Sequence, residues 1–202
     1  MRLIRRFANA LIVFGVLLLV SATILVMYNI DQDGDVGKAT AEVMAVLSDE
    51  VADRSGAMPA NEQEALALQQ AGLDVLMIDG RAYIGYLSVP SQSLELPILA
   101  EWSYPNLKIS PCCYSGSVNT DDLVLAGHNY RSHFGKLNNL SVGDEIRFTN
   151  AFGITTSYTV QELQVLRPTS VEEMKDSTFD LSLFTCNMSG NARFTVRCDR
   201  AE

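Results

Sequence analysis

Between Phe7 and Ile30 the chain runs for 24 residues without a charge, FANALIVFGVLLLVSATILVMYNI. A helix of that length reaches about 36 Å, enough to cross a hydrocarbon core of about 30 Å. Arg2, Arg5 and Arg6 precede the run, and Asp31, Asp33 and Asp35 follow it. Basic flanks stay cytoplasmic, which predicts an inside amino terminus and an outside remainder, anchored by one membrane pass. The competing reading is a cleaved secretory signal, whose apolar stretch is shorter and ends in small residues. Met27-Tyr28-Asn29-Ile30 lacks that pattern. Either way, residues 31–202 are expected to face the outside and to make one domain with a short stalk.

Charge narrows the partners. The chain carries 15 basic and 24 acidic side chains, a net −9. Nucleic-acid binding needs a basic face that releases counterions from phosphate, so that class is excluded. An acidic domain is also repelled by anionic lipid, so the apolar run reads as a tether.

The segment 31–38 (DQDGDVGK) has a linker's composition. Val43, Val46, Leu47 and Val51 then recur at helical spacing, and Asn61 with Glu64 resembles a capping box for a helix over Glu62–Gln70. The expected organisation is therefore a basic end and anchor at 1–30, a linker and helical stalk or cover at 31–73, and a domain at 74–202.

From Asp74 the texture is that of strands. Val75–Ile78 and Tyr83–Val89 flank Asp79-Gly80, a hairpin dipeptide. Leu94, Leu96 and Ile98 alternate with Glu95 and Pro97, as in a half-buried edge strand. Leu123–Ala126 reads as a strand covered on both faces, and Glu145–Thr149 and Thr156–Leu166 as a pair turning near Gly153. Ser170 with Glu173 suggests a short helix over Val171–Lys175. Leu181–Cys186 and Arg193–Cys198 suggest a last hairpin. Seven or eight short strands with few helices predict a closed or nearly closed β-barrel.

Only two histidines occur, His128 and His133, with four cysteines, Cys112, Cys113, Cys186 and Cys198. A nucleophilic thiol needs a proton-shuttling partner and a cation or N–H pair for the oxyanion. His128 follows the buried strand Leu123–Ala126, Cys186 ends a second strand, and Arg193 opens the strand paired with it. Arg197 shares a face with Arg193 by parity, and proximity to Cys186 favours Arg193. His133 reads as a loop residue. Four cysteines in an exported chain favour two bridges; Cys112 and Cys113 are adjacent, and either could pair with Cys198. No metal-ligand spacing, P-loop or dinucleotide fingerprint appears, so neither a metal nor a cofactor is expected.

Leu125-Ala126-Gly127-His128-Asn129, Leu183-Phe184-Thr185-Cys186 and Arg193-Phe194-Thr195-Val196, in that order and spacing, resemble the sortases, membrane-anchored cysteine transpeptidases of Gram-positive bacteria. Tyr83–Pro90, Leu96-Pro97-Ile98 and Gly143–Ile146 extend the resemblance. Gly-His-Asn and the short Cys-to-Arg spacing look like class B, whereas Arg167–Asp180 is too short for that class's long helix.

The resemblance implies an eight-stranded closed barrel with short helices, preceded by N-terminal helices and the membrane span. His128, Cys186 and Arg193 would surround one groove, with Thr185 and Asn129 contacting substrate. Such enzymes cleave a Leu-Pro-x-Thr-Gly signal of surface proteins between Thr and Gly. They pass the acyl group to an amine, here a peptidoglycan precursor or a pilin lysine. Two other functions remain compatible with the residues: a surface-anchored peptidase that only hydrolyses, and a non-catalytic cell-surface binding domain.

Overall fold

The computed structural model describes residues 2–55, 63, 74–175, 178–187 and 190–201. The expected helix over Glu62–Gln70 lies, apart from helical Gln63, outside the described residues. By packing, the chain divides into Met1–Asp35 and Val36–Glu202.

Helix α1 spans Arg2–Arg54. Its apolar residues between Leu11 and Ile30 are exposed, as suits side chains meant for lipid, and the helix is long and apolar enough to cross a membrane. The segment 31–38, expected as a linker, is helical too. It contains no proline, and Gly34 and Gly37 each cost only about 1 kcal/mol against two strongly helical flanks. Beyond Val36, Thr40, Leu47 and Val51 are buried on one stripe, while Val46 is 48% exposed and lies off it.

Nine strands follow among the described residues: β1 (Leu76–Ile78), β2 (Arg81–Val89), β3 (Leu94–Leu99), β4 (Cys112–Ser115), β5 (Leu123–Gly127), β6 (Glu145–Asn150), β7 (Thr155–Leu166), β8 (Leu181–Cys186) and β9 (Arg193–Arg200). Two short helices, α2 (Tyr104–Leu107) and α3 (Val171–Lys175), interrupt them. The neighbour order is β1-β2-β3-β4-β5-β8-β9-β7-β6, with a further β2–β6 pairing. That pairing closes a ring of eight, β2 through β9. Strand β1 pairs with β2 at Arg81–Tyr83, beyond the Gly85–Ser88 stretch that holds β6. The eight-stranded closed barrel is therefore the fold.

Alternation builds the interior. Leu87, Val89, Leu125, Phe134, Leu137, Ile146, Phe148, Tyr158, Leu183 and Val196 belong to one buried apolar cluster. A second cluster holds Leu47 and Val51 of α1 with Tyr83, Leu99, Cys112 and Ala126 on the outer face. The expected hairpin at Asp79-Gly80 forms, with φ of 48° and 74°, as a primed turn needs.

Strand β3 departs from expectation. It lies between β2 and β4 and is largely buried, not a half-buried edge. Its only register pair with β4 is Leu99↔Cys112, so Pro97 sits where no ladder N–H is required. Strand β4 escaped sequence reading because Pro111, two cysteines and Gly116 hide its pattern.

Candidate active site

Register assembles the site. Strands β5 and β8 are parallel neighbours with Gly127 opposite Thr185. The next residues, His128 and Cys186, therefore emerge at the same end of adjacent strands, which lie about 4.8 Å apart. Strand β9 is antiparallel to β8 and places Arg193 directly opposite Cys186.

Parity sets which way the side chains face. Leu181 and Leu183 fill the barrel, so Phe184 and Cys186 fall on the outer face. Arg193, Thr195 and Arg197 share that outer parity, while Phe194, Val196 and Cys198 pack with the interior. The loop from β8 to β9 is tied by Asn187: its backbone N–H donates to Ala192 O at 3.0 Å, and its side-chain amide donates to Asn191 at 2.7 Å. Arg193 Nη1 contacts the Gly190 and Ala192 carbonyls at 3.4 and 3.5 Å.

His128 is half-buried. Burial, and secondly the positive field of Lys108, hold its imidazole below the ordinary value of 6.5. The neutral ring is thereby favoured, and neutral imidazole can accept a proton from a thiol. Lys108, exposed and one residue past α2, carries no motif that singles it out in sequence.

Asn129 is half-buried beside His128. Thr185 has interior parity and is 2% exposed, and its Oγ1 has no hydrogen-bond partner among the described residues. It underlies the strand end and does not open onto the outer face with Cys186.

The two arginines separate cleanly. Arg197 is 2% exposed and its guanidinium is engaged throughout: Nε donates to Gln164 at 3.1 Å, Nη1 to Ser182 at 2.7 Å and to Met174 O at 3.2 Å, and Nη2 to Glu173 O at 2.7 Å. It ties α3 to the barrel wall. Arg193 instead borders a pocket of about 160 Å³ together with Trp102, Tyr114, Val171, Met174 and Phe184. Tyr114 packs edge-on against both Trp102 and Phe184, with centroids 5.6 and 5.2 Å away. Lys175 Nζ sits 5.3 Å from the Tyr114 ring centre. Sequence reading missed this aromatic wall. The lone tryptophan, 39% exposed, was its available signal.

The expected disulfides are absent: all four cysteines are free. Cys198 lies opposite Leu181, at the end of β8 remote from Cys186, so it cannot reach the candidate nucleophile. Cys112 packs in the outer apolar cluster and Cys198 in the inner one, on opposite sides of the wall. Burial pushes the thiols of Cys112 and Cys198 up to about 12 and raises that of Cys113. Cys112 and Cys198 behave as core residues. His133, expected to be a loop residue, lies in a turn and is fully buried, with Nε2 3.3 Å from Thr40 Oγ1 of α1.

Comparisons with known proteins agree with this architecture. A sortase domain model matches residues 87–201. Comparison with curated protein sequences returned no match. Among solved structures, a Clostridium perfringens sortase D5 transpeptidase superposes with a TM-score of 0.59 at 16% identity, covering 82% of this chain and 99% of that one. Sortase A from Corynebacterium diphtheriae gives 0.57 at 20% identity, over 87% and 93% of the two chains. Sortase C from Clostridium perfringens SM101 gives 0.53 at 21% identity, over 85% and 90%. Together with the apolar N-terminal helix, the match supports a membrane-anchored protein with cysteine-transpeptidase-type chemistry. On a family match that spans more than half its length and an eight-strand barrel that closes as described, this chain belongs to the sortase family.

Proposed function

We propose that the chain is a membrane-anchored transpeptidase. It cleaves the C-terminal sorting signal of surface proteins, of the Leu-Pro-x-Thr-Gly kind, and transfers them to an amine of the cell wall or of a pilin. The observation that carries this reading is the register that brings Gly127 opposite Thr185 and Cys186 opposite Arg193. Three chemically distinct side chains thereby issue from one end of three adjacent strands.

In the proposed cycle, neutral His128 accepts the proton of Cys186 as the sulfur attacks the Thr carbonyl. The tetrahedral oxyanion is stabilised by Arg193, whose charge and N–H fork suit a developing negative oxygen. Collapse gives a thioacyl enzyme, and the imidazolium of His128 hands its proton to the departing Gly amine. An incoming amine then attacks the thioester, loses its proton to neutral His128, and releases Cys186, which recovers that proton. The pocket of Trp102, Tyr114, Val171, Met174, Phe184 and Arg193 is proposed to take the Leu-Pro end of such a signal against its aromatic and apolar side chains. Asn129, beside His128, is proposed to contact the peptide backbone. The basic residues Arg2, Arg5 and Arg6 would hold the amino terminus in the cytoplasm, leaving the barrel outside.

The test uses the full chain in detergent with a fluorogenic Leu-Pro-x-Thr-Gly peptide, with and without triglycine. Cleavage stimulated by triglycine, with a triglycine-joined product by mass spectrometry and none from Cys186→Ala, is the expected result. Turnover giving only the acid product, indifferent to triglycine, would leave a peptidase instead.

A further inference from the structure

The loop that carries His128 folds back on itself. Phe134 N–H donates to His128 O at 3.1 Å, while the N–H groups of His133 and Gly135 both donate to Tyr130 O, at 3.0 and 2.8 Å. Within that closed loop the rings form a series. His128 and Tyr130 lie 4.9 Å apart between centroids, and Tyr130 and His133 lie 5.6 Å apart. The series ends on α1, where His133 Nε2 meets Thr40 Oγ1 at 3.3 Å.

The Thr40 hydroxyl lies within hydrogen-bond distance of both Val36 O, at 2.8 Å, and His133 Nε2, and so ties the imidazole to the helix backbone. Thr40 and His133 are both buried, so this contact is shielded from competing water. Helix α1 also approaches the loop at Gly37, where a Cβ would come within 3.3 Å of Ser132 Cβ. The helix thus bears on the loop at two points one turn apart.

We infer that Tyr130 and His133 are positioning residues for His128, and that Thr40 of α1 locks them in place. The inference rests on the reading of His128 as the proton carrier. It goes beyond that reading by making α1 a working part of the site. Tyr130 limits the rotation of the His128 ring, and His133, held by Thr40, limits Tyr130. Lys108 is the charged group whose field reaches His128, and it lies outside this series.

With only two histidines in the chain, imidazole signals of the full-length protein in detergent, labelled with 13C-histidine, report on His128 and His133 alone. Thr40→Val keeps the side chain's shape and removes the hydroxyl, and Thr40→Ser keeps the hydroxyl. Tyr130→Leu removes the ring, and Tyr130→Phe keeps it. The expected result is that Thr40→Val and Tyr130→Leu shift or broaden the His128 signal. They also lower kcat for triglycine transfer about tenfold or more at unchanged KM, as a misplaced proton carrier does. Thr40→Ser and Tyr130→Phe stay close to the parent. Equal His128 signals and equal kcat in Tyr130→Leu and the parent would overturn the inference. So would a Thr40→Val protein that shifts His133 alone. A separate His128→Ala control guards the underlying reading. Full transfer by that variant would remove His128 from the chemistry, while the ring signals would still decide whether Tyr130 and Thr40 set its position.

Discussion

Cys186 and Arg193 are register partners across β8 and β9, so seven residues of sequence return the chain to a point opposite the sulfur. The Asn187-tied loop between them holds that closure. If Arg193 stabilises an oxyanion there, Arg193→Ala lowers kcat about 100- to 1,000-fold, the usual cost of losing one such donor. Arg193→Lys keeps the charge but not the planar fork, and should recover only part of the loss. Single-turnover acylation with the signal peptide measures both.

The depressed basicity of His128 has a direct kinetic consequence. Burial comes first among its causes and Lys108 second. Replacing Lys108 with Met removes the second alone, so the imidazole value rises part of the way towards 6.5. In the proposed cycle acylation uses the neutral ring, so the acid limb of the pH–rate profile is expected to move to higher pH in Lys108→Met, and the rate to fall on that limb. Stability follows the same sign. A folded-state value below the ordinary one contributes stability above pH 6.5 that is lost as pH falls through the depressed value. Titration of the His128 ring signal checks the shift directly, and an unmoved titration would refute the role of Lys108.

The thiols give a third expectation. Burial raises the values of Cys112, Cys113 and Cys198, so all three remain protonated at pH 8 and Cys112 and Cys198 are also shielded from reagent. Alkylation of the native protein at that pH should label Cys186 first, and tryptic mapping should find Cys112 and Cys198 modified only after unfolding. Above pH 9 the stabilising contribution of the buried thiols begins to fall. Their values, raised to about 12, favour the fold below the ordinary thiol range, and this is lost as pH climbs towards 12.

How much of this was legible beforehand follows from where information sits in the chain. Turn and loop residues marked the hairpins that hold β2, β6, β7, β8 and β9, and the continuous run Leu123–Ala126 marked the buried strand that leads to His128. The three proposed site residues, His128, Cys186 and Arg193, each adjoin a strand end, which is why their neighbourhood could be expected from strand order alone. The aromatic wall was not, because Trp102, Tyr114 and Phe184 come from three different segments and meet only through tertiary packing. The burial of His133 was not readable because its partner, Thr40, lies 93 positions earlier on a helix whose spacing suggested a stalk or cover. Cysteine parity misled for a related reason: compartment favours bridges, but Cys112 and Cys198 sit on opposite faces of one wall.

Gly127 precedes His128 for a packing reason, not a conformational one. A Cβ there would fall 2.5 Å from the ring of Phe134, which fills the barrel end beneath the loop. Gly127→Ala must therefore displace Phe134 and, through the Phe134 N–H to His128 O bond, the loop itself. Overpacking of this kind costs about 1–3 kcal/mol. The expected outcome is a lower urea midpoint at unchanged slope, with a larger fractional loss of acylation rate than of folded protein.

Arg193 and Arg197 stand on the same face of β9 yet should fail in opposite ways. The Arg197 guanidinium satisfies the Glu173 and Met174 carbonyls at the end of α3 and the Ser182 and Gln164 side chains, with Glu162 and Glu173 nearby to balance its charge. Arg197→Met keeps the apolar stem but leaves buried acceptors without donors, and is expected to cost about 2–3 kcal/mol of stability. Urea unfolding should show that loss, while acylation by the molecules that remain folded stays near the parent rate. Arg193 donates, among the described residues, to loop carbonyls at 3.4 and 3.5 Å, so Arg193→Met should show nearly unchanged unfolding and a collapsed rate. A stability loss confined to Arg193→Met, or a rate loss confined to Arg197→Met, would exchange the roles assigned to the two side chains.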